Sequence, residues 1–397
     1  MIRTILSKLR VKNRCILRRA FSKASVENKE NEEKMPAWQI HSYDGLKGLA
    51  LSNARIPIIS RPTEVLIKVE ASSVNPIDVL MTEGYGATTL NLMRRTRSIV
   101  NELRCNYNEN VEFPLTLGRD FSGKIVLKGH AVRSNLNLGD DVWGVVPINQ
   151  QGCHAKYIAI DDSLINSKPT NLLHIEAASI PYAGLTAYSA LWITGGLLCG
   201  TRKESEKKKK ILILGGSGGV GTMAIQLLKS QDINVVTTCN EDAVEMLQRL
   251  GADKVINYKD EKVDINVKCE GPYDIILDCC KQGVDDVKRR GYEHNIFITL
   301  NSPLLKNVDE HGLFGGSLQN INSIVRQNLP HVSNQGSVRW AFFAPSKRGM
   351  ALIQDLVLNK KLTPVIQEVY PFKNLPEAYK RVSQGHLRGK LVIDMSE

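Results

Sequence analysis

A chain of 397 residues with 42% hydrophobic, 6% aromatic and 23% charged content is long enough for two domains with full cores. No apolar run reaches the roughly 20 residues that cross a bilayer, which excludes a membrane-spanning helix. The formal charge of +11 suggests nucleic-acid binding only until it is located: eight uncompensated basic residues lie within positions 1–24, leaving +3 for everything after them.

The first 24 residues combine Arg3, Lys8, Arg10, Lys12, Arg14, Arg18, Arg19 and Lys23 with Ile2, Ile5, Leu6, Leu9, Ile16 and Leu17, and contain no acid. An acid-free, arginine-rich amphipathic leader without a continuous apolar core reads as a mitochondrial transit peptide, not a secretory signal. Arg19, two residues before Phe21, places processing between Phe21 and Ser22, so that 1–21 is the leader and 22–34 a polar linker. The expected compartment is the mitochondrial matrix, with association with the outer membrane as the other reading. The eight cysteines form no C-x-x-C pair and read as free thiols, and the eight histidines show no zinc spacing.

The folded part begins near Met35-Pro36-Ala37-Trp38. Residues 64–71 alternate polar and apolar as a half-buried strand does, and Pro76 ends any such strand. Residues 87–112, with Arg94, Arg95, Arg97 and Arg104, read as a polar, solvated insertion; contact with an anionic group or a membrane surface is the other reading. Strands are predicted at 123–128 and 141–146, joined through Gly139-Asp140, which makes a β-rich unit. A helical stretch broken at Pro181 and Gly184 follows, and then a charged loop, 201–210, ending in four lysines.

Everything is organised around residues 210–230. The strand Ile211-Leu212-Ile213-Leu214 runs into Gly215-Gly216-Ser217-Gly218-Gly219-Val220-Gly221, and the turn opens an amphipathic helix. Gly216, Gly218 and Gly221 satisfy G-x-G-x-x-G, in which side chains would block the tight turn, the approach of backbone N–H groups to a pyrophosphate, or helix-on-strand packing. Strands predicted at 233–238, 254–258, 273–278 and 295–300 alternate with helices, the pattern of a parallel sheet with right-handed crossovers. Beyond residue 330 the rhythm changes: 338–343 is strand-like, 347–360 helical, and 389–394 a closing strand that returns to the first domain.

These segments resemble the zinc-independent quinone oxidoreductase branch of the medium-chain dehydrogenase/reductases. The resemblance rests on Met35 to Trp38, Ser73-Val74-Asn75-Pro76-Ile77-Asp78, Gly84-Tyr85-Gly86-Ala87-Thr88, Phe113 to Asp120, Gly216 to Gly221 and Arg339-Trp340-Ala341-Phe342-Phe343, and it runs from residue 35 to the C-terminus. It implies an α/β protein in which a Rossmann domain, 186–329, is inserted in a GroES-like β-rich catalytic domain made of 35–185 and 330–397. Cofactor and substrate are expected between the two domains.

The resemblance puts Asn75 and Thr186 near the nicotinamide and its ribose, Gly216, Ser217, Gly218, Gly219, Val220 and Gly221 at the pyrophosphate, and Tyr258 beside the adenosine end. On the residues alone, Asn75 could equally cap the turn before Pro76, Thr186 could bond back within its helix, and Tyr258 could be a half-buried strand aromatic. Gly118-Arg119-Asp120 stands where the zinc enzymes show Gly-His-Glu, so zinc-assisted alcohol oxidation is disfavoured and no metal is expected.

Hydride delivery to a quinone or an activated alkene is the expected chemistry, with a role in coenzyme Q biosynthesis and respiratory-chain support implied by the resemblance. Tyr85 matches the proton-donating tyrosine of related enoyl-thioester reductases, or is an aromatic wall of the cleft. Thr237-Thr238-Cys239-Asn240 offers no early acid to repel a 2′-phosphate, which favours NADPH with Asn240 near the phosphate and Lys259 or Arg249 as counter-charges, although Glu241 lies at the edge of that window. Cys279 and Cys280, after the strand ending at Asp278, read as loop thiols on the ligand side of the sheet. The alternatives to quinone reduction are enoyl-thioester reduction, or weakly catalytic NADPH binding by an interaction protein with a reticulon or membrane-associated partner. A homodimer is compatible with the sequence.

Overall fold

The computed structural model describes residues 34–105, 112–197, 208–328 and 336–396. The leader, nearly all of the linker and most of the lysine-rich loop lie outside the described residues, as do the side chains of Arg97 and Arg104.

The catalytic domain is built from β1 (Lys34–Ile40), β2 (Leu49–Arg55), β3 (Glu64–Val74), β4 (Leu115–Thr116), β5 (Asp120–Lys128), β6 (Asp141–Val145), β7 (Tyr157–Asp161) and β8 (Ile165–Ser167). β3 is its spine: it pairs antiparallel with β5 and β7, and alternate residues Val65, Ile67, Val69 and Ala71 are fully buried, the period-2 pattern of a sheet with one face on the core. Pro76 ends the strand and starts a helix, Pro76–Thr82, at a position where its missing N–H costs nothing.

The nucleotide domain contributes β9 (Lys210–Leu214), β10 (Asn234–Cys239), β11 (Lys254–Asn257), β12 (Tyr273–Asp278), β13 (His294–Thr299) and β14 (Ser337–Trp340). Their spatial order, β11-β10-β9-β12-β13-β14, is that of a doubly wound sheet, and every pairing is parallel. β9 is central and covered on both faces, so it reads as an unbroken apolar run; Ile211, Leu212, Ile213 and Leu214 are at most 1% exposed, each contributing about 2 kcal/mol of burial. The chain then returns through β15 (Ile366–Pro371) and β16 (Lys390–Asp394), and β16 pairs antiparallel with β3 from Leu391 opposite Val74 to Asp394 opposite Ala71.

Two expectations differ from the structure. The segment expected to be a polar insertion from residue 87 forms a helix, Ala87–Cys105. Leu90 is buried, and Arg94, 9% exposed, donates to Asn91 Oδ1 at 2.6 Å instead of facing an external anion. The strand near 338, expected to belong with the returning catalytic segment, is β14, the sixth strand of the nucleotide sheet. The following helix, Lys347–Leu358, buries Met350, Ile353, Leu356 and Val357 in the same core as Ile211 and Ile213. Pairing of β14 with β13 spans about forty residues of sequence, beyond the reach of local periodicity.

Candidate active site at the domain seam

The glycine loop leaves β9 at the point where the strand order of the sheet reverses. Gly215 takes φ +80°, a left-handed conformation. At Gly216 a Cβ would stand 2.0 Å from Thr237 Oγ1, and at Gly221 one would stand 2.6 Å from the carbonyl oxygens of Gly215 and Gly216. These two glycines permit close packing of the turn and helix on the sheet. Gly218 is different: a Cβ there meets nothing within 4 Å, so its surface is open. Gly218 is the N-cap of the helix Gly219–Lys229, and no side chain caps that helix. Backbone N–H groups at an uncapped helix start, behind an open glycine, form a cradle for a phosphate, and the chain fits a dinucleotide in this respect.

The returning strand closes this loop from the catalytic side. Gly389 N–H donates to Ser217 O at 2.8 Å, and Gly389 bridges Gly218 in parallel fashion. Arg388 holds the Asp242 carboxylate through Nη2 at 2.6 and 2.8 Å and through Nε at 3.1 Å, which keeps the Asp242 carboxyl below its ordinary range. Its Nη1 makes only long contacts, 3.4 Å to Ser217 Oγ and 3.3 Å to the carbonyls of His386 and Leu387. A guanidinium edge thus lies between Ser217 of the phosphate loop and Asp242, just past the end of β10.

Lys390, 5% exposed, links the two domains through one side chain. Its stem lies against Gly219, where a Cβ would stand 2.8 Å from Lys390 Cδ, and its ammonium donates to Asn75 Oδ1 and, at 3.1 Å, to Asp120 Oδ2. Asp120 Oδ2 also accepts from Ser73 Oγ at 2.7 Å and Asn75 Nδ2 at 2.8 Å, while Oδ1 accepts the Tyr182 N–H in the first turn of the helix Pro181–Tyr188. A buried carboxylate with four donors, one of them cationic, has the partners that burial of its charge requires.

Arg119, fully buried, occupies the position where zinc enzymes carry a histidine ligand. It donates to Pro147 O at 2.8 Å and Gln150 O at 3.0 Å, with Nε 3.5 Å from Asp78 Oδ1. Guanidinium has no lone pair to offer a metal, and its Nη1 and Nη2 donate to backbone carbonyls of the fold. Asp78 in turn accepts Gly118 N–H and Asn75 N–H, both at 2.9 Å. Gly118, at φ +96°, lies under the His154 ring, where a Cβ would stand 2.6 Å from Cδ2. His154 Nε2 donates to Ser73 O at 3.3 Å and Nδ1 accepts from Tyr379 O–H at 2.9 Å; burial pushes the imidazole down to about 4. The segment 118–120 is therefore a rigid organic scaffold.

Tyr85 lies in the turn between the helices Pro76–Thr82 and Ala87–Cys105. Burial first and the nearby Asp309 carboxylate second raise its phenol above the ordinary value, so it is a protonated group near neutral pH. Tyr182 stacks on Phe343 with ring centroids 4.2 Å apart and an interplanar angle of 14°.

Of the other residues singled out in the sequence, Thr186 donates its hydroxyl to Tyr182 O at 2.7 Å, a bond within its own helix, and is 8% exposed. Asn240 follows β10, and Tyr258, 43% exposed, is tied to its neighbour by Tyr258 N–H to Cys239 O at 2.9 Å. Arg249 faces Glu245 at 3.8 Å on an exposed helix, and Lys259 is exposed. Cys279, half-buried, and Cys280, exposed, lie against Gly215, where a Cβ would stand 2.8 Å from Cys280 Cβ. The sequence reading missed Arg388, Lys390, Asp242 and Tyr182. Arg388-Gly389-Lys390 carries a local signal, basic residues about a glycine at the head of the closing strand, but nothing local says what it meets.

Two family models match the chain, an alcohol dehydrogenase GroES-like domain over residues 61–169 and a zinc-binding dehydrogenase over 250–393. Among the described residues no group of three or more His, Cys, Asp or Glu side chains is placed to hold a metal. The chain is 43% identical over 375 residues to the NAD(P)H oxidoreductase RTN4IP1, mitochondrial, of Drosophila melanogaster, covering 93% of this chain and 88% of that protein. The Homo sapiens protein of the same name is 40% identical over 366 residues, 91% and 89% of the two chains. The quinone oxidoreductase from Coxiella burnetii matches with a TM-score of 0.70 and 26% identity, covering 91% of this chain and 100% of the bacterial one. The chain belongs to the RTN4IP1 family of NAD(P)H oxidoreductases, in the zinc-independent quinone oxidoreductase branch of the medium-chain dehydrogenase/reductases.

Proposed function

We propose that this protein is a mitochondrial NADPH-dependent oxidoreductase that delivers hydride to a quinone-like or enone-like acceptor, in support of coenzyme Q biosynthesis and the respiratory chain. The observation that carries the reading is the composition of the seam: an open phosphate cradle adjoins a buried network of Lys390, Asn75 and Asp120 whose polar groups satisfy one another, and the neighbouring Arg119 has no lone pair with which to hold a metal. An acceptor that spreads the incoming charge over its own conjugated system suits such a site. The names of the relatives support the mitochondrial assignment, and the leader at 1–21 agrees with it.

When bound, the dinucleotide supplies the hydride. The backbone of Gly216 to Gly221 would hold its pyrophosphate, and Thr186 and Asn75 would flank the nicotinamide half. Lys390 and Asp120 keep the Asn75 amide in one orientation, because both polar atoms of that amide are engaged. Arg388 supplies the counter-charge for a 2′-phosphate, through the Nη1 edge that makes only long contacts, with Asn240 and Tyr258 completing the adenosine end. That assignment replaces Lys259 and Arg249 in the role.

A second reading, an enoyl-thioester reductase in which the Tyr85 phenol gives a proton to carbon, rests on the resemblance of the Gly84-Tyr85-Gly86 turn to that of the enoyl-thioester reductases. Turnover with a set of quinones and with crotonyl thioester, for the wild type and Tyr85→Phe, separates the two. Quinone reduction is expected to survive the substitution within about threefold, since solvent can protonate oxygen, whereas an essential carbon acid is worth about 100-fold or more. NADPH binding with no oxidation by any quinone or enone contradicts both readings and leaves an interaction protein with a reticulon or membrane-associated partner.

A further inference from the structure

The helical segment Leu304–Asn328, kinked at Gly312 where φ is +70° and ψ 177°, belongs to the nucleotide domain, between β13 and β14, yet its part before the kink touches the catalytic domain. Asp309 Oδ2 accepts the N–H of Gly86 at 2.6 Å and Oδ1 accepts that of Thr88 at 3.0 Å. Leu305 lies against the same turn: a Cβ on Gly86 would stand 3.1 Å from Leu305 Cδ1 and 3.3 Å from Leu90 Cδ1. The helix Ala87–Cys105 has no acidic residue in its own first turn, so its exposed amides receive their carboxylate from the other domain. Tyr85 stands between Gly84 at φ +85° and Gly86 at φ +78°, a turn whose two flanking residues have glycine's wide conformational freedom.

We propose that Asp309 is a positioning residue for Tyr85: it clamps the Gly84-Tyr85-Gly86 turn across the domain seam, so that the placement of the phenol depends on how the nucleotide domain is seated. The importance of Tyr85 rests on the function proposed above, but the clamp itself does not. Two charge-assisted hydrogen bonds, to the Gly86 and Thr88 amides at the helix start, constrain both position and direction. A domain that opened by a few ångströms would release both bonds together, and the turn with them. The charged and titratable groups acting on the Tyr85 phenol are Asp309, from the helix of the nucleotide domain, and Tyr182, from the helix Pro181–Tyr188.

The test uses the full chain without cofactor or acceptor, so its outcome is independent of what the enzyme reduces. Hydrogen exchange at the amides of residues 86–90 is measured in the wild type, Asp309→Ala and Asp309→Asn, with the helix Leu375–Ser383 as an internal reference for intact folding. Loss of the cap is expected to speed exchange at Gly86 and Thr88 at least fivefold in Asp309→Ala, with the reference helix unchanged. In parallel, the ultraviolet phenolate titration of Tyr85 is isolated by subtracting the Tyr85→Phe curve within each background. In Asp309→Asn, which retains an acceptor and loses the charge, the Tyr85 transition is expected at lower pH than in the wild type. Unchanged exchange at Gly86 and Thr88 in Asp309→Ala overturns the proposal, as does a Tyr85 transition that stays in place in Asp309→Asn.

Discussion

Two neighbouring glycines separate folding from cofactor binding. Gly218→Ala adds a methyl group that meets no protein atom within 4 Å, at a backbone conformation, φ −78° and ψ 173°, that alanine adopts freely. Its cost to the fold is that of a poorer N-cap, about 1 kcal/mol or less, which for a protein of this size moves the melting temperature by only a few degrees. The methyl does occupy the face that a pyrophosphate must approach. Displacing the phosphate from one backbone N–H removes a hydrogen bond to a charged group worth about 1.5–3 kcal/mol, or roughly 10- to 100-fold in affinity. Gly216→Ala has the opposite profile: its methyl would stand 2.0 Å from Thr237 Oγ1, a buried hydroxyl bonded to Ile213 O at 2.9 Å, so the turn after β9 must move away from β10 at a cost of about 1–3 kcal/mol. NADPH fluorescence titration alongside thermal melting reads both quantities. A Gly218→Ala protein that binds within twofold of wild type would refute the proposed placement of the pyrophosphate.

Lys390→Met strands the Asp120 carboxylate in the seam without its cation, at an expected cost of about 3 kcal/mol, and Asp120→Asn in the same chain recovers much of it; a urea-unfolding double-mutant cycle with coupling near zero would contradict the network. His154 contributes an acid sensitivity of definite sign. Its folded value near 4 lies below the ordinary value of 6.5, so the unfolded chain binds the proton first, and stability falls as pH drops from 6.5 towards 4 by up to about 3 kcal/mol. His154→Gln is expected to flatten that part of the stability profile; an identical slope in the variant would show that other groups carry it.

The parts of the site made by consecutive residues were legible in the sequence. The glycine loop, the strand before it and the helix after it are one local unit, and Arg119 announced by its side-chain chemistry that the histidine position of the zinc enzymes is filled otherwise. What joins the domains was not legible, because the partners are remote in the chain: Lys390 and Asn75 are 315 positions apart, and Arg388 and Ser217 are 171. The helix Ala87–Cys105 was hidden for the same reason. Its own sequence is polar and uncapped, and it is completed by Asp309 and Leu305 from the nucleotide domain. β14 is a comparable case, since a four-residue strand acquires its identity only from its neighbour in the sheet.

The sharpest test of the proposal that the seam holds a 2′-phosphorylated dinucleotide is a paired titration of the purified protein with NADPH and NADH, repeated on Arg388→Ser. Tighter binding of NADPH by the wild type, with that preference lost in the variant through weaker NADPH binding while NADH is little changed, is the predicted result. Equal affinity for the two nucleotides in the wild type, or a preference that persists without the Arg388 guanidinium, would contradict it.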